Sequence, residues 1–185
     1  KDTFSMAAEL IQNAKKIYIV GIRSCEPLAD FLGFYLNMLF DEVHVVRTNS
    51  ASEIFEQLMR IGAGDVLIGI SFPKYSMRTV KAMELANSRS AGVISITDSI
   101  HSPLNLYSSC NLIARSEMAS VVDSLTAPLS VINALIVALC LKNQDSLKQS
   151  IETLDQLYDD YQIYGRDEMD PSGGEIEIFH QGSRV

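Results

Sequence analysis

The sequence is poor in the residues that build disulfide frameworks and metal centres. Its 185 residues include three cysteines, three histidines and no tryptophan. Cys25, Cys110 and Cys140 are far apart and odd in number, and their spacing resembles neither a zinc site nor a redox pair. We therefore expect three reduced thiols, as in a cytoplasmic protein, and no bound metal.

A long apolar run is also missing. The most apolar stretch, 125–141, contains Pro128, Ser130 and Asn133 and falls short of the ~20 residues that a membrane span requires. No signal peptide is visible. The stretch is expected to form a buried or interface helix, and we expect no membrane association.

Positive charge is scarce as well. The formal net charge is −8, and an acidic surface repels a nucleic-acid backbone, so no DNA-binding face is expected. A negative net charge still allows a local cluster of basic side chains around one small phosphate. Residues 164–185 are acidic and contain Pro171-Ser172-Gly173-Gly174, which predicts a flexible tail after a domain formed by 1–163.

Short apolar runs alternate with helical stretches through the rest of the chain. The strands are predicted at 16–21, 43–46, 65–70, 92–97 and 110–114. Strands that are apolar throughout and separated by helices predict a parallel α/β sheet that is covered on both faces and doubly wound.

The helices are predicted from apolar spacing and start signals. They are expected at 4–14, 28–40, from the Ser50/Glu53 capping box to Gly62, at 76–88, at 123–142 and at 144–163. Ser102-Pro103 predicts one more helix start. The last helix carries an apolar stripe that packs on the body or on a second subunit; its residues are Leu147, Ile151, Leu154, Leu157, Tyr158 and Tyr161.

Polar loops follow the first, third and fourth predicted strands. In a doubly wound sheet, ligands bind at the carboxyl ends of the strands. Hydroxyls and cations beside a helix start suit a phosphate dianion, and Arg23, Ser24, Ser71, Lys74 and Ser76 are such groups. The loops match neither the nucleotide P-loop nor the dinucleotide fingerprint. The serines are equally suited to act as plain helix caps.

Three loops resemble those of a known family. VGIRSC, SFPKYS and ITDSIHSPL, in this order, are similar to the sugar isomerase (SIS) domain and, more narrowly, to the effector domain of RpiR-type bacterial transcription regulators. The resemblance implies a three-layer α-β-α sandwich with a five-stranded parallel sheet of flavodoxin-like order. It implies a phosphorylated sugar or sugar acid as ligand, with its phosphate on the loops after strands one and three, and no cofactor.

The family also carries an N-terminal helix-turn-helix domain. That domain is absent from this chain, which fits its start at Lys1. By this resemblance the chain is expected to be the sensor, and DNA would be contacted only through the absent domain.

The resemblance places individual residues at the ligand. Ser71 and Ser76 match the hydroxyls that flank the phosphate loop, Cys25 stands where the family usually has serine, and Lys74 stands where it has arginine. Pro73 has no N–H to offer a phosphate, which departs from the loop of the SIS enzymes. The implied ligand-binding residues are Arg23, Ser24, Cys25, Ser71, Phe72, Lys74, Tyr75, Ser76 and Asp123.

Two functions are compatible with this sequence. The first is a sugar-phosphate sensor without enzymatic activity, and the alternative is a ketose–aldose sugar-phosphate isomerase, which needs a base and usually an acid. His101 lies in a plausible site loop, as catalyst, ligand contact or surface residue. Asp123 either caps the long helix or contacts sugar hydroxyls, in the second case possibly from a partner subunit. No two acids are placed by sequence as an evident acid and base.

A homodimer is expected, with a tetramer as an option for a full-length protein. The reason is the apolar face of helix 123–142 together with the apolar stripe of the last helix.

Overall fold

The structure is a computed structural model that describes residues 2–47, 50–115, 124–161 and 163. The chain divides into two compact units, Lys1–Leu147 and Lys148–Val185. The first unit contains the whole sheet. The domain boundary predicted after residue 163 stays a prediction, and the predicted tail 164–185 lies outside the described residues.

The sheet of the first unit has five parallel strands. They are β1 (Ile17–Gly21), β2 (Val43–Val45), β3 (Val66–Ile70), β4 (Gly92–Thr97) and β5 (Cys110–Ile113). Their order is β2-β1-β3-β4-β5, and every neighbouring pair is parallel. The predicted flavodoxin-like order is confirmed, with strand ends that differ from prediction by one residue at most.

Within the described residues, six α-helices and two short 3₁₀ turns accompany the strands. The helices are α1 (Thr3–Gln12), α2 (Glu26–Leu36), α3 (Ala51–Gln57), α4 (Met77–Ser88), α5 (Thr126–Lys142) and α6 (Gln144–Tyr161). The 3₁₀ turns span Arg23–Cys25 and Pro103–Leu106.

Serine side chains cap the helix starts that were predicted from the sequence. The Ser50 hydroxyl accepts the Glu53 amide at 3.4 Å, and the Ser76 hydroxyl accepts the Thr79 amide at 3.4 Å. The Ser102 hydroxyl does the same for the turn that follows it. Each bond satisfies an amide that has no partner inside its own helix.

Three predicted helices have at least one bound that differs from the structure by three residues or more. The second helix covers Glu26–Leu36 instead of 28–40, because Pro27 is tolerated in a first turn. The third ends at Gln57, well before Gly62. Helix α5 begins at Thr126, three residues after the predicted start, with Leu125 at the N-cap; Asp123, the predicted cap, lies outside the described residues.

Each face of the sheet has its own hydrophobic core because alternate strand residues point to opposite faces. Ile17 and Ile19 of β1 face α1, α2 and α5, whereas Tyr18 and Val20 face α3 and α4. A fully buried aliphatic side chain contributes about 1.5–3 kcal/mol. The largest fully buried side chains are Ile11, Ile17, Ile19, Leu32, Leu36, Ile54, Leu58, Leu67, Ile68, Ile70, Met83 and Ile94.

Among the described residues, no single helix has both the length and the apolar character to cross a membrane. Helices α5 and α6 meet that test only when the two are taken together as a bent pair, by length and composition alone.

Candidate functional site

The loops after β1, β3 and β4 begin side by side. Gly21, the last residue of β1, is the register partner of Ile70, the last residue of β3. Ile70 is in turn the partner of Ile96 of β4. The sheet order changes direction between β1 and β3, which is where ligands bind in folds of this kind.

The loop after β1 forms the 3₁₀ turn Arg23–Cys25. Arg23 has a φ of 59°, a left-handed conformation that is uncommon for a residue other than glycine. The side chains of Arg23 and Ser24 are exposed, whereas Cys25 is 5% exposed and belongs to the core on the α2 side. The loop therefore presents one cation and one hydroxyl to solvent.

The loop after β3 is anchored at both ends. The Ser71 hydroxyl oxygen accepts the Ser76 amide at 3.0 Å, and the Ser71 amide donates to the Ile96 carbonyl at 3.2 Å. Ser71 is 4% exposed and Phe72 is 8% exposed, so both belong to the interior. Ser71 supports the loop through its oxygen, and its proton can still be donated.

Lys74 lies at the outer end of this loop. It is exposed and has a φ of 66°, which makes it the second cation of the site in a left-handed conformation. Left-handed backbone costs roughly 1–2 kcal/mol for a residue with a Cβ, and such residues concentrate at functional sites.

Helix α4 begins directly after this loop. Ser76 caps it, and the amides of Met77 and Arg78 belong to the first turn, where amides lack acceptors within the helix. Arg78 is exposed. A cation at the positive end of a helix is unfavourable unless an anion is near. Sequence reasoning missed Arg78, although the position after the Ser76 cap could have drawn attention to it.

The loop after β4 is joined to the loop after β3. The Tyr75 hydroxyl donates to Asp98 Oδ1 at 2.9 Å. Thr97 Oγ1 lies 3.2 Å from the same oxygen and 2.8 Å from Ser102 Oγ. Burial, followed by the hydrogen bond and the charge of Asp98, raises the pKa of Tyr75. The Tyr75 hydroxyl is therefore neutral and donates to Asp98, and it also has a weaker interaction with the Ser102 hydroxyl, which lowers its pKa.

His101 is exposed in this third loop. Its amide donates to the Ser99 hydroxyl at 3.1 Å. Among the described residues, no group of three or more histidine, cysteine, aspartate or glutamate side chains is placed to hold a metal ion.

Positive charge collects at the carboxyl edge of the sheet although the chain as a whole is acidic. Cations follow four of the five strands; they are Arg23, Arg47, Lys74, Arg78 and Arg115. Arg47 is paired with Asp30, where Nη1 donates to Oδ2 at 3.3 Å, and Nη1 also lies 3.9 Å from Glu26. Acidic side chains also lie at this edge, so the charge that favours a small anion is local to Arg23, Lys74 and Arg78.

The structure brings most of the predicted site residues together. Arg23, Ser24 and Cys25 lie on the loop after β1, and Ser71, Phe72, Lys74, Tyr75 and Ser76 lie on the adjacent loop after β3. Asp123 and the stretch 116–123 that contains it lie outside the described residues. Asp98 was not predicted as a site residue, because its contact with Tyr75 joins positions 23 residues apart.

The chain is similar to several known proteins. It is 27% identical over 164 residues to an HTH-type transcriptional regulator of Caldanaerobacter subterraneus subsp. tengcongensis, covering 84% of this chain and 56% of that protein. The chain thus spans little more than half the length of this curated relative.

Two solved structures share its fold. The sugar isomerase domain of an RpiR transcription factor from Sphaerobacter thermophilus has a TM-score of 0.79 at 24% identity, over 83% of this chain and 86% of that one. The Vibrio vulnificus NanR protein complexed with ManNAc-6P has a TM-score of 0.71 at 19% identity, over 84% and 61%.

A family model decides the classification. The SIS domain model matches residues 10–138, a range that contains β1 to β5 and the three loops described above. The chain belongs to the SIS domain family, as the loop sequences predicted.

Proposed function

We propose that this chain is the sugar-phosphate-binding effector domain of a transcriptional regulator. The observation that carries the proposal is the pair of exposed cations, Arg23 and Lys74, in left-handed conformations on adjacent loops. Strained backbone persists where the surrounding structure enforces it, and it often marks a ligand site. Two cations beside a helix start would stabilise a phosphate dianion.

In this proposal the phosphate lies between the loops 22–25 and 71–76, at the start of α4. Arg23, Lys74 and Arg78 supply positive charge, and the hydroxyls of Ser24 and Ser76 supply hydrogen bonds. The first-turn amides of α4 donate as well. Cys25, Phe72 and Ser71 shape the site from the interior, and Tyr75 orders the loop. Asp123 would contact sugar hydroxyls.

The regulatory role is supported by the relatives. One is an HTH-type regulator and one is a transcription factor, by name. The NanR structure contains a phosphorylated amino sugar. In our proposal a helix-turn-helix domain outside this chain binds DNA, in the cytoplasm, and its affinity depends on the ligand held here.

The absence of enzymatic activity is part of the proposal. Isomerisation of a sugar phosphate needs a base, and usually an acid, close to the reacting carbons. Two of the described carboxylates at this edge are engaged by neighbours, Asp30 by Arg47 and Asp98 by Tyr75. His101 is exposed on the third loop. These placements favour binding over proton transfer.

A homodimer is also proposed. Phe34 of α2 and Val137 of α5 are 63% and 52% exposed, and Leu141 is 49% exposed. Helices α2 and α5 pack on the same face of the sheet. A helix that is apolar on every side is usually buried on every side. Phe34→Asp combined with Val137→Asp should therefore yield a monomer in analytical ultracentrifugation, where the unchanged protein sediments as a dimer.

The proposed function is tested by a thermal-shift screen of this chain. The panel contains phosphosugars, including N-acetylmannosamine 6-phosphate, with inorganic phosphate and the unphosphorylated sugars as controls. A ligand that binds only the folded state raises Tm by mass action. We expect a shift with at least one phosphosugar and none with its parent sugar. The absence of any shift across the panel would contradict the proposal.

Two variants test whether the Tm shift comes from binding at the start of α4. Lys74→Gln combined with Arg78→Gln should abolish the shift, whereas Lys81→Gln, which removes an exposed charge further along α4, should preserve it. A binder is then incubated with the protein, and its aldose and ketose forms are followed by NMR. Interconversion at a rate above the protein-free control would favour the isomerase instead.

A further inference from the structure

We propose that Asp98 is a positioning residue for anion binding, which acts through Tyr75 to hold the loop 71–76 in its binding conformation. The inference rests on the proposed function and adds a residue on a third loop that nothing in the family match assigns. It starts from the 2.9 Å hydrogen bond that the Tyr75 hydroxyl donates to Asp98 Oδ1.

The loop needs such an anchor because its backbone is strained. Lys74 has a φ of 66° and immediately precedes Tyr75. A left-handed lysine costs roughly 1–2 kcal/mol, so contacts on both sides must hold it. On one side, Phe72 is buried and Ser71 is fixed to β4. On the other side, Tyr75 is fixed to Asp98.

Asp98 is itself held on a rigid element. It follows Thr97, the last residue of β4, and the Thr97 hydroxyl lies 3.2 Å from the same carboxylate oxygen. Thr97 and Ser102 are buried and lie 2.8 Å apart through their hydroxyl oxygens. Through this chain of hydrogen bonds the strand fixes Asp98, and Asp98 fixes Tyr75.

The hydrogen bond between Tyr75 and Asp98 is chemically compatible with an anion bound nearby. A hydrogen bond to a carboxylate is stronger than one between neutral groups. It also takes up part of the negative charge that would otherwise face a bound phosphate. A tyrosine hydroxyl is protonated at physiological pH, and the pKa of Tyr75 is raised further by burial and by Asp98, so the proton that it donates is retained. A direct contact between this hydroxyl and the ligand is not needed.

Hydrogen exchange of the Ser76 amide can measure how firmly the loop 71–76 is held, even when no ligand is bound. This amide donates to the Ser71 hydroxyl across the base of the loop, at 3.0 Å. If the loop loosens, the hydrogen bond opens more often and the amide hydrogen exchanges faster. Hydrogen exchange of Ser76, measured by NMR, therefore follows the conformation of the loop directly.

The experiment compares Tyr75→Phe, Asp98→Ala, their double variant and Asp98→Asn. The first two remove the hydrogen bond from either side. Asp98→Asn keeps an oxygen at the acceptor position and is the matched control. Each protein is measured in two ways, by Ser76 exchange without ligand and by NMR titration with inorganic phosphate.

We expect Tyr75→Phe and Asp98→Ala each to accelerate Ser76 exchange and to weaken phosphate binding by about fivefold to tenfold, as for one lost hydrogen bond. The double variant should be no worse than Tyr75→Phe, because that variant already removes the bond to Asp98 together with the contact to Ser102. Asp98→Asn should stay within about twofold of the unchanged protein, since it loses only the charge assistance.

The proposal is overturned if Ser76 exchange is unchanged in both single variants, or if stability falls while phosphate affinity does not. It is also overturned if Tyr75→Phe weakens binding and Asp98→Ala does not, because Tyr75 would then contact the ligand directly. If the unchanged protein binds neither phosphate nor any phosphosugar, the proposed function fails, while the exchange rates still decide whether Asp98 positions the loop.

Discussion

The backbone of Gly21 packs directly against that of Cys25. A Cβ placed on Gly21 would lie 2.4 Å from the Cys25 carbonyl oxygen and 3.0 Å from the Ala29 Cβ. The 3₁₀ turn after β1 can fold back this tightly only because residue 21 has no side chain. The position of Arg23 at the candidate site therefore depends on a glycine two residues earlier.

Gly21→Ala should lower the free energy of unfolding by about 3 kcal/mol, since a backbone oxygen has to move. Gly69→Ala is the matched control. Its added Cβ would lie 2.4 Å from Sδ and 2.9 Å from Cγ of Met83, a buried but flexible side chain that can change rotamer, so we expect a smaller loss of about 1–2 kcal/mol. Urea unfolding of both variants measures the difference, and equal losses would contradict this account.

Lys74→Gly should separate stability from binding. Glycine adopts a positive φ without steric cost, so the free energy of unfolding should stay level or rise by up to about 1 kcal/mol. Phosphosugar affinity should fall because the cation is lost. Ser90→Gly is the control, because Ser90 has a φ of 61° just beyond the end of α4. It should gain similar stability and bind normally. Normal binding by Lys74→Gly would remove Lys74 from the site.

Ser71→Ala should lower both the stability of the fold and the affinity for the phosphosugar. It deletes the acceptor of the Ser76 amide, which leaves a polar group unpaired in a part-buried place. Such a loss costs about 1–3 kcal/mol. We expect a comparable decrease in unfolding free energy by urea titration, together with weaker binding by calorimetry. Retained affinity in a destabilised protein would restrict Ser71 to a role in folding.

Thiol reactivity should follow burial. Burial raises the pKa of both Cys110 and Cys140, but Cys110 is 1% exposed whereas Cys140 is half-buried. The Cys110 thiol also donates to the Thr3 carbonyl at 3.0 Å. In the folded protein a thiol reagent should label Cys140 first and leave Cys110 unlabelled until urea unfolds the chain. Mass spectrometry of the labelled peptides identifies the order, and early labelling of Cys110 would show that α1 opens readily.

Strongly alkaline pH should weaken the folded state through two tyrosines. Burial is the main reason that the pKa of Tyr18 and the pKa of Tyr75 are raised. A raised pKa in the folded state stabilises the protonated form, so the contribution is complete below about pH 10 and is lost as pH rises through the folded pKa.

Unfolding in urea between pH 9 and pH 11.5 should show this decrease in stability. Tyr75→Phe should reduce the slope, because one of the two titrating hydroxyls is gone. An unchanged slope would mean that Tyr75 titrates alike in the folded and unfolded chains.

The fold was largely predictable because it depends on local pattern. The five strands are short apolar runs between helical stretches, and Ser50, Ser76 and Ser102 mark helix starts by their own hydrogen bonds. The start of α5 was not predictable in the same way. Its N-cap position is Leu125, which makes no side-chain hydrogen bond there, so no capping side chain marks the residue at which the helix begins.

The loops that form the candidate site were predictable from the sequence, but the contacts of their side chains were not. The loop motifs named Ser71 and Tyr75, yet Ser71 is interior and holds the Ser76 amide, and Tyr75 is bound to Asp98. The sheet brings Tyr75 and Asp98 together, and the conformation of the loop brings Ser71 and Ser76 together, so the motifs alone do not reveal these contacts. Arg78 was missed although the helix start at Ser76 was predicted, because an exposed arginine in a helix is usually an ordinary surface residue.

The pairing of Gly21 with Ile70 has a consequence for how such a domain can change. Both candidate binding loops extend from strand ends that are joined by backbone hydrogen bonds, and the side chains beneath them belong to two separate cores. The scaffold does not rely on the exposed loop residues for its stability. New ligand preferences can therefore arise by substitution of a few exposed loop residues. Gly21 and the buried Ser71, which support the loops, can stay unchanged.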